Sequence, residues 1–212
     1  MLLADGNLLD PFPLSVIVLL LAIIAILVLL LRRSWKRERE LANHDRLTGL
    51  VSREAFRDLL DIEKKRSTRT GKPITLAYLD CDDFKKINDS FGHLTGDQVL
   101  KTVADVMRSN TRSYDVVARM GGDEFAILFP ETSAESARCV VERLHSKLSE
   151  AMQSREWQVT FSIGVITFCD PNESEDEMIH AVDTLMYSVK QEGKAGVKYS
   201  VKTDSTQNVS SQ

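Results

Sequence analysis

The sequence predicts an α+β domain, a ferredoxin-like or palm-like antiparallel sheet with flanking helices, preceded by one transmembrane helix. Three observations carry this. An apolar run occupies residues 14–31 and ends abruptly at a cluster of basic residues. Beyond residue 45, short apolar runs of strand length alternate with longer stretches that open on helix-capping signals. Two of the short runs flank paired glycines, Gly121 and Gly122, the signal of a hairpin.

Within residues 14–31 only Ser15 is polar and nothing is charged. At 1.5 Å per residue the run covers roughly 27 Å, close to the ~30 Å hydrocarbon core of a bilayer. A cleavable leader would begin with basic residues, whereas Asp5 and Asp10 precede this run and no Lys or Arg does. Arg32, Arg33, Lys36, Arg37 and Arg39 follow it, so the positive-inside rule puts the C-terminal side in the cytoplasm. The expected organisation is an extracytoplasmic segment (1–13), a spanning helix (14–31), a charged juxtamembrane helix or linker (32–44), a folded domain (45–200) and a disordered tail (201–212). Residues 1–13 are too few for a folded sensor. Trp35 and Leu41 could offer an apolar seam to a partner helix, and a solvated linker is an equal reading.

In the domain, Thr48-Gly49 reads as a turn, and Ser52 as the N-cap of a helix to about residue 68. Gly71 and Pro73 end that helix, and residues 74–79 form a short buried strand. Thr95 and Gln98 have the spacing of a capping box, with a helix to about residue 109. Residues 116–119 and 125–129 are the hairpin strands. Thr132 and Glu135 cap a helix to about residue 152, and residues 157–168 read as an alternating strand. Ser174 and Glu177 cap a last helix to about residue 191, which Gly193 ends. The order strand, helix, strand, strand, helix, strand is a split βαβ arrangement.

Composition removes some functions. With 27 Lys and Arg against 31 Asp and Glu, the net charge of -4 argues against a nucleic-acid partner. Cys81, Cys139 and Cys169 are odd in number and scattered, which fits reduced thiols in a cytoplasmic domain. Neither they nor the four histidines have zinc-ligand spacing.

Two acidic clusters stand out: Asp80, Asp82 and Asp83 after the first strand, and Asp123 and Glu124 after the paired glycines. If the strands are neighbours, Asp80 and Asp123 approach each other. Close carboxylates repel unless a proton or a cation lies between them, and hard oxygen ligands favour Mg²⁺ or Mn²⁺. Glycines allow a phosphate or base to come near the backbone. Metal-assisted phosphoryl chemistry and a merely solvated acidic turn both satisfy this spacing.

Four ordered motifs then bear a resemblance. Arg119-Met-Gly-Gly-Asp-Glu-Phe125 resembles the signature of GGDEF domains, the diguanylate cyclases. Asp45-Arg-Leu-Thr-Gly-Leu50 resembles the family's opening motif. Asp80-Cys-Asp-Asp-Phe-Lys-Lys-Ile-Asn-Asp89 with Phe91-Gly-His-Leu-Thr-Gly-Asp97 resembles its nucleotide-site block, and Thr160-Phe-Ser-Ile-Gly164 a later core strand. The resemblance covers about residues 45–199. It implies a bacterial enzyme that condenses two GTP into cyclic di-GMP and two pyrophosphates, working as a homodimer; with the apolar run at residues 14–31 and its basic flank, the expectation is a single-pass inner-membrane protein with a cytoplasmic catalytic domain.

By the same resemblance, Asp80, Asp123 and the Cys81 carbonyl would hold two divalent cations, Mg²⁺ or Mn²⁺, in each half-site. Asp123 would act as base towards the 3′-hydroxyl, with Glu124 as accessory. Lys85 would stabilise phosphate charge, helped by the amides of Asp83 and Phe84. Asn88 and Asp97 would bind the guanine edge, with His93 nearby, and Lys190 and Lys194 would bind phosphate. Arg112-Ser-Tyr-Asp115 resembles the family's inhibitory product-binding motif, with Arg112 and Asp115 as its two ends.

The sequence departs from the family pattern at Ser52, where Asn is usual, and at Lys194-Ala195, where Arg-Asn is common; lysine keeps the charge but loses the fork. Asp97 is retained, which favours guanine. No second domain for cyclic di-GMP hydrolysis is expected. The rival readings are a non-catalytic membrane module that binds GTP or cyclic di-GMP, and another palm-like nucleotidyl cyclase.

Overall fold

The computed structural model describes residues 17–30 and 43–203, in two compact units divided between Leu41 and Ala42. In the first unit, residues 17–30 form helix α1, with every side chain exposed. Among the described residues no helix is long and apolar enough to cross a membrane. The outer residues of the expected span, all but two residues of the juxtamembrane stretch and nearly all of the expected tail lie outside the described residues.

The second unit contains β1 (Val51–Ser52), α2 (Arg53–Thr70), β2 (Ile74–Asp82), α3 (Phe84–Phe91), α4 (His93–Asn110), β3 (Val116–Gly121), β4 (Glu124–Phe129), α5 (Ala134–Gln153), β5 (Thr160–Phe168), α6 (Glu175–Gln191) and β6 (Gly196–Lys202). The sheet has the strand order β1-β3-β4-β2-β5-β6. Its central pairs are antiparallel, as expected. Both edges differ from expectation: β1 runs parallel to β3, and β6 runs parallel to β5, so the sheet is mixed. Neither edge strand has a readable apolar alternation, because β1 is two residues long and β6 is only half-buried. β6 also carries the folded domain to Lys202, past the expected boundary at residue 200.

Two hydrophobic layers cover the sheet. On one face Leu79, Phe125, Phe161 and Ile163 pack with Val103, Met107, Leu144 and Leu148 of α4 and α5. On the other, Leu76, Tyr78, Leu128 and Ile166 pack with Phe56 and Leu60 of α2 and Val182 and Met186 of α6. β2 lies between, buried along its whole length. β5 is also buried on both faces from Phe161 onward, so it is not the half-exposed alternating strand expected.

The capping signals divide. Ser52 accepts from Ala55 N, and Ser174 with Glu177 forms a full capping box. The other two proposed caps fail. Helix α4 starts earlier, with Gly92 as its N-cap, and the Thr95 hydroxyl donates to the Phe91 carbonyl. α5 is capped by Ser133, while Thr132 turns its hydroxyl onto the Pro130 carbonyl. Hydroxyls near a helix start compete for several backbone partners, and spacing does not select among them.

Gly164 marks the tightest contact between layers. A Cβ there would lie 2.5 Å from both Met186 N and Val182 O, backbone atoms of α6. Neither can move without shifting the helix. Gly164→Ala is therefore expected to destabilise the domain by about 3 kcal/mol. The denaturant midpoint of the variant checks this, and an unchanged midpoint refutes it.

Candidate active site

Asp80 and Asp82 do not follow the first strand, as expected from sequence; they belong to it. Pairing with β4 and β5 holds β2 regular as far as Asp82. Alternation then puts Tyr78, Asp80 and Asp82 on the α6 side, and Leu79 and Cys81 on the other. Asp83 ends the strand with a left-handed backbone (φ 58°) and leads straight into α3, a helix not read from the sequence.

The signature is a tight hairpin. Gly121 pairs with Glu124, leaving Gly122 and Asp123 at the tip. Gly122 has φ of 53°, the left-handed region that glycine enters without strain. The tip is tied on two sides. Cys81 N donates to the Asp123 carbonyl at 3.2 Å, which brings the hairpin against the end of β2. Arg119 donates to the Gly122 carbonyl from Nε at 3.0 Å and Nη2 at 2.6 Å, while its Nη1 meets Asp45 Oδ1 at 3.1 Å. The opening motif thus braces the signature. Asp45 also accepts from the amide and hydroxyl of Thr48.

Asp80 is 5% exposed and directly across from Glu124. Its Oδ2 meets the Lys190 ammonium at 2.6 Å, and its Oδ1 is buried without a hydrogen-bond partner. Burial pushes its pKa up to about 6; Lys190 works against this, and the nearby Asp123 charge adds to it. For Lys190, burial works to lower the pKa, and the Asp80 carboxylate outweighs it, so the ammonium is held more firmly than usual. The Cys81 thiol is fully buried and pushed well up, first by burial and then by the surrounding aspartates, which leaves it unreactive. Only its backbone is available for chemistry.

Lys194 meets Asp83 Oδ1 at 2.9 Å, so both C-terminal lysines reach the acidic end of β2. Asp82 holds them there. Its carboxylate accepts from Ser162 Oγ (2.7 Å), Thr160 Oγ1 (2.8 Å) and Ala195 N (3.1 Å), which pins the turn after α6 to the sheet. Lys194 and Ala195 both have positive φ, 66° and 52°. Asparagine tolerates that region better than alanine, so this departure from the family pattern strains the turn as well as changing its charge.

Asn88 on α3 packs against Gly96 of α4, the residue before Asp97. A Cβ at residue 96 would lie 2.0 Å from Asn88 Oδ1 and 3.1 Å from the Phe84 ring, so only glycine leaves that amide where it is. Lys85 and His93 are exposed beside this corner. Arg112 and Asp115 are joined by a turn: Arg112 N donates to Asp115 Oδ2 at 2.8 Å, and the guanidinium donates to the Tyr114 hydroxyl at 2.6 Å. They line a pocket of about 400 Å³ with His44, Gly49, Leu59 and Arg108. Asp115 Oδ1 is buried without a partner, and burial raises that carboxyl's pKa.

Asp80, Cys81, Asp123, Glu124, Lys190 and Lys194 are therefore one cluster, with Asn88 and Asp97 at the next corner and Arg112 and Asp115 in a separate pocket. Sequence reasoning missed the anchoring role of Asp82, the Arg119–Asp45 brace and the Tyr78 hydroxyl, which donates to Glu124 Oε2 at 3.1 Å. The i, i+2 spacing of Asp80 and Asp82 was the available signal for the first.

Among the described residues no three His, Cys, Asp or Glu side chains form a ready metal cage. The donors nonetheless suit a hard divalent cation that keeps water and substrate phosphate in its shell: a buried Asp80 oxygen has no hydrogen-bond partner, and the residue feels the charge of Asp123 and pairs across the strands with Glu124.

Fold and site together define a mixed-sheet α+β domain with an acid-and-lysine cluster at one end of its central strand. The family model described as "Diguanylate cyclase, GGDEF domain" matches residues 42–196, and the chain belongs to that family. The chain is 39% identical over 160 residues to diguanylate cyclase DgcP of Pseudomonas aeruginosa, covering 74% of this chain and 24% of DgcP. It is 36% identical to cyclic di-GMP phosphodiesterase NbdA of the same organism over 163 residues, 76% of this chain and 21% of NbdA. The coiled coil and GGDEF domain of DgcB from Caulobacter crescentus, in complex with c-di-GMP, superposes with a TM-score of 0.72 at 33% identity, covering 85% of this chain and 97% of that one.

The Asp80 carboxyl gives a pH signature. Its folded-state pKa of about 6 lies above the ordinary 3.8. The fold therefore favours the protonated form, and this stabilisation is complete below the ordinary value and lost as pH rises through about 6. In buffer free of divalent cations, stability is expected to fall from this source by about 2 kcal/mol between about pH 4 and about pH 6. Asp80→Asn should remove that part of the slope. Denaturant unfolding at the two pH values measures it; equal slopes in both proteins would refute the assignment.

Proposed function

We propose that this protein is an active, membrane-anchored diguanylate cyclase. The observation that carries the reading is the acid-and-lysine cluster: a buried Asp80 oxygen without a partner, beside Asp123 and under Lys190. An acidic turn that merely faced solvent would have no reason to bury a carboxylate at that cost.

In this reading each domain binds one GTP. Asn88 and Asp97 take the guanine edge, and Lys85, Lys190, Lys194 and the first amides of α3 take the phosphates. Asp80, Asp123 and the Cys81 carbonyl hold Mg²⁺ or Mn²⁺, which when bound neutralises phosphate charge and acidifies the 3′-hydroxyl. Asp123 accepts the hydroxyl proton. The 3′-oxygen attacks the α-phosphate of the GTP on a second domain, the bond to the β-phosphate bridging oxygen breaks, and pyrophosphate leaves. A second, reciprocal transfer closes the ring.

The reaction needs two facing domains, so the working unit is a homodimer. The apolar run at residues 14–31 and its basic flank support a single-pass inner-membrane anchor with the domain in the cytoplasm. Confinement to a membrane plane raises the effective concentration of the halves. The pocket at Arg112 and Asp115 would hold product: a guanidinium for phosphate, and a buried carboxylate oxygen for guanine N–H groups.

Incubating the full chain in lipid nanodiscs with GTP and Mg²⁺ should yield cyclic di-GMP and two pyrophosphates per product, read by chromatography. Asp123→Ala should lower turnover at least ~100-fold with little loss of stability. A dimeric sample that binds GTP and makes no product would instead support the binding-module reading. Arg112→Ala should raise the product concentration needed for half-inhibition about tenfold, the loss of one charge-assisted hydrogen bond. Unchanged inhibition would remove the product site from this pocket.

A further inference from the structure

Tyr78 is 5% exposed and stands two residues before Asp80 on β2, so both side chains face α6. Glu124 is the cross-strand partner of Asp80, and Ala126 that of Tyr78. Tyr78 and Glu124 are thus diagonal neighbours, a separation that aromatic and long side chains bridge. The Tyr78 hydroxyl donates to Glu124 Oε2 at 3.1 Å.

Packing alone does not ask for that hydroxyl. A phenylalanine would fill the same place among Leu76, Leu128, Val182 and Met186, and a buried hydroxyl costs free energy unless bonded. Burial, and then the charge of Glu124, push the phenol's pKa beyond the ordinary range, so it stays a donor at every physiological pH. The neighbouring Ala126 leaves the ring free of a bulky cross-strand partner.

We infer that Tyr78 is a positioning residue for the metal site: its hydroxyl holds one oxygen of Glu124, so that the other is left for a cation bound at its cross-strand partner Asp80. Glu124 then reaches the cation with its rotamer already restricted, as the outer hydrogen bonds of metal ligands do elsewhere. The inference rests on the cyclase reading, in which that cluster binds a divalent cation.

The test is Tyr78→Phe in the full chain. Mn²⁺ binding is followed by electron paramagnetic resonance in the presence of a GTP analogue with a non-hydrolysable bond between the α- and β-phosphates. The expected result is about tenfold weaker Mn²⁺ binding, with the thermal midpoint within a few degrees of wild type. The Mg²⁺ concentration for half-maximal turnover should rise by the same factor, while turnover at saturating Mg²⁺ stays within a few-fold. On a Glu124→Gln background the same change should have no further effect on Mn²⁺. Mn²⁺ binding within twofold of wild type, or an equal loss on both backgrounds, would overturn the role of Tyr78 and leave the cyclase reading standing. If the wild-type chain itself binds no Mn²⁺ with the analogue, the cyclase reading falls, and this assignment falls with it.

Discussion

The domain is organised around a charge in an unfavourable place. Asp80 sits at the end of the most buried strand, across from Glu124 and near Asp123, with a single cation, Lys190, on one of its oxygens. A lone buried carboxylate would protonate rather than stay charged. The surrounding structure keeps this one partly ionisable: α6 delivers an ammonium to it, and the remaining oxygen is left open. Such an arrangement lowers the stability of the empty domain and favours whatever positive charge arrives.

The neighbouring aspartates show how environment divides identical side chains. Asp82 accepts three hydrogen bonds and is satisfied, so it works as an anchor for the turn that carries Lys194. Asp83 is half-buried between solvent and two lysines, which hold its carboxyl below the usual range. Asp80 alone combines burial with an unpartnered oxygen. Three acids within four residues thus take three roles, because pleat and strand end put each in a different dielectric.

A second theme is bracing. The hairpin tip is held by the Cys81 amide from one side and by Arg119 from the other. Arg119 in turn leans on Asp45, the first residue of the opening motif. Three motifs far apart in the chain meet at one turn. In the proposed reading, base recognition and phosphate contact fall on the α3–α4 corner and the end of α6, so the substrate would bridge separate elements of the domain.

Much of this was legible in the sequence, and for local reasons. The strong helices, the hairpin and the central strands follow from periodicity, Ser52 and Ser174 caps and a Gly-Gly turn, all of which act over a few residues. The two acidic clusters stand out by residue type and spacing, whereas the lysines and the Asn88 amide are named through the resemblance to GGDEF domains. Only the tertiary structure decided the rest. The parallel edge strands β1 and β6 depend on a sheet edge formed by distant segments. Failed caps at Thr95 and Thr132 reflect competition among nearby backbone partners. That Asp82 anchors while Asp80 waits, and that Tyr78 reaches Glu124, follows from register and burial, which depend on segments brought together across the fold.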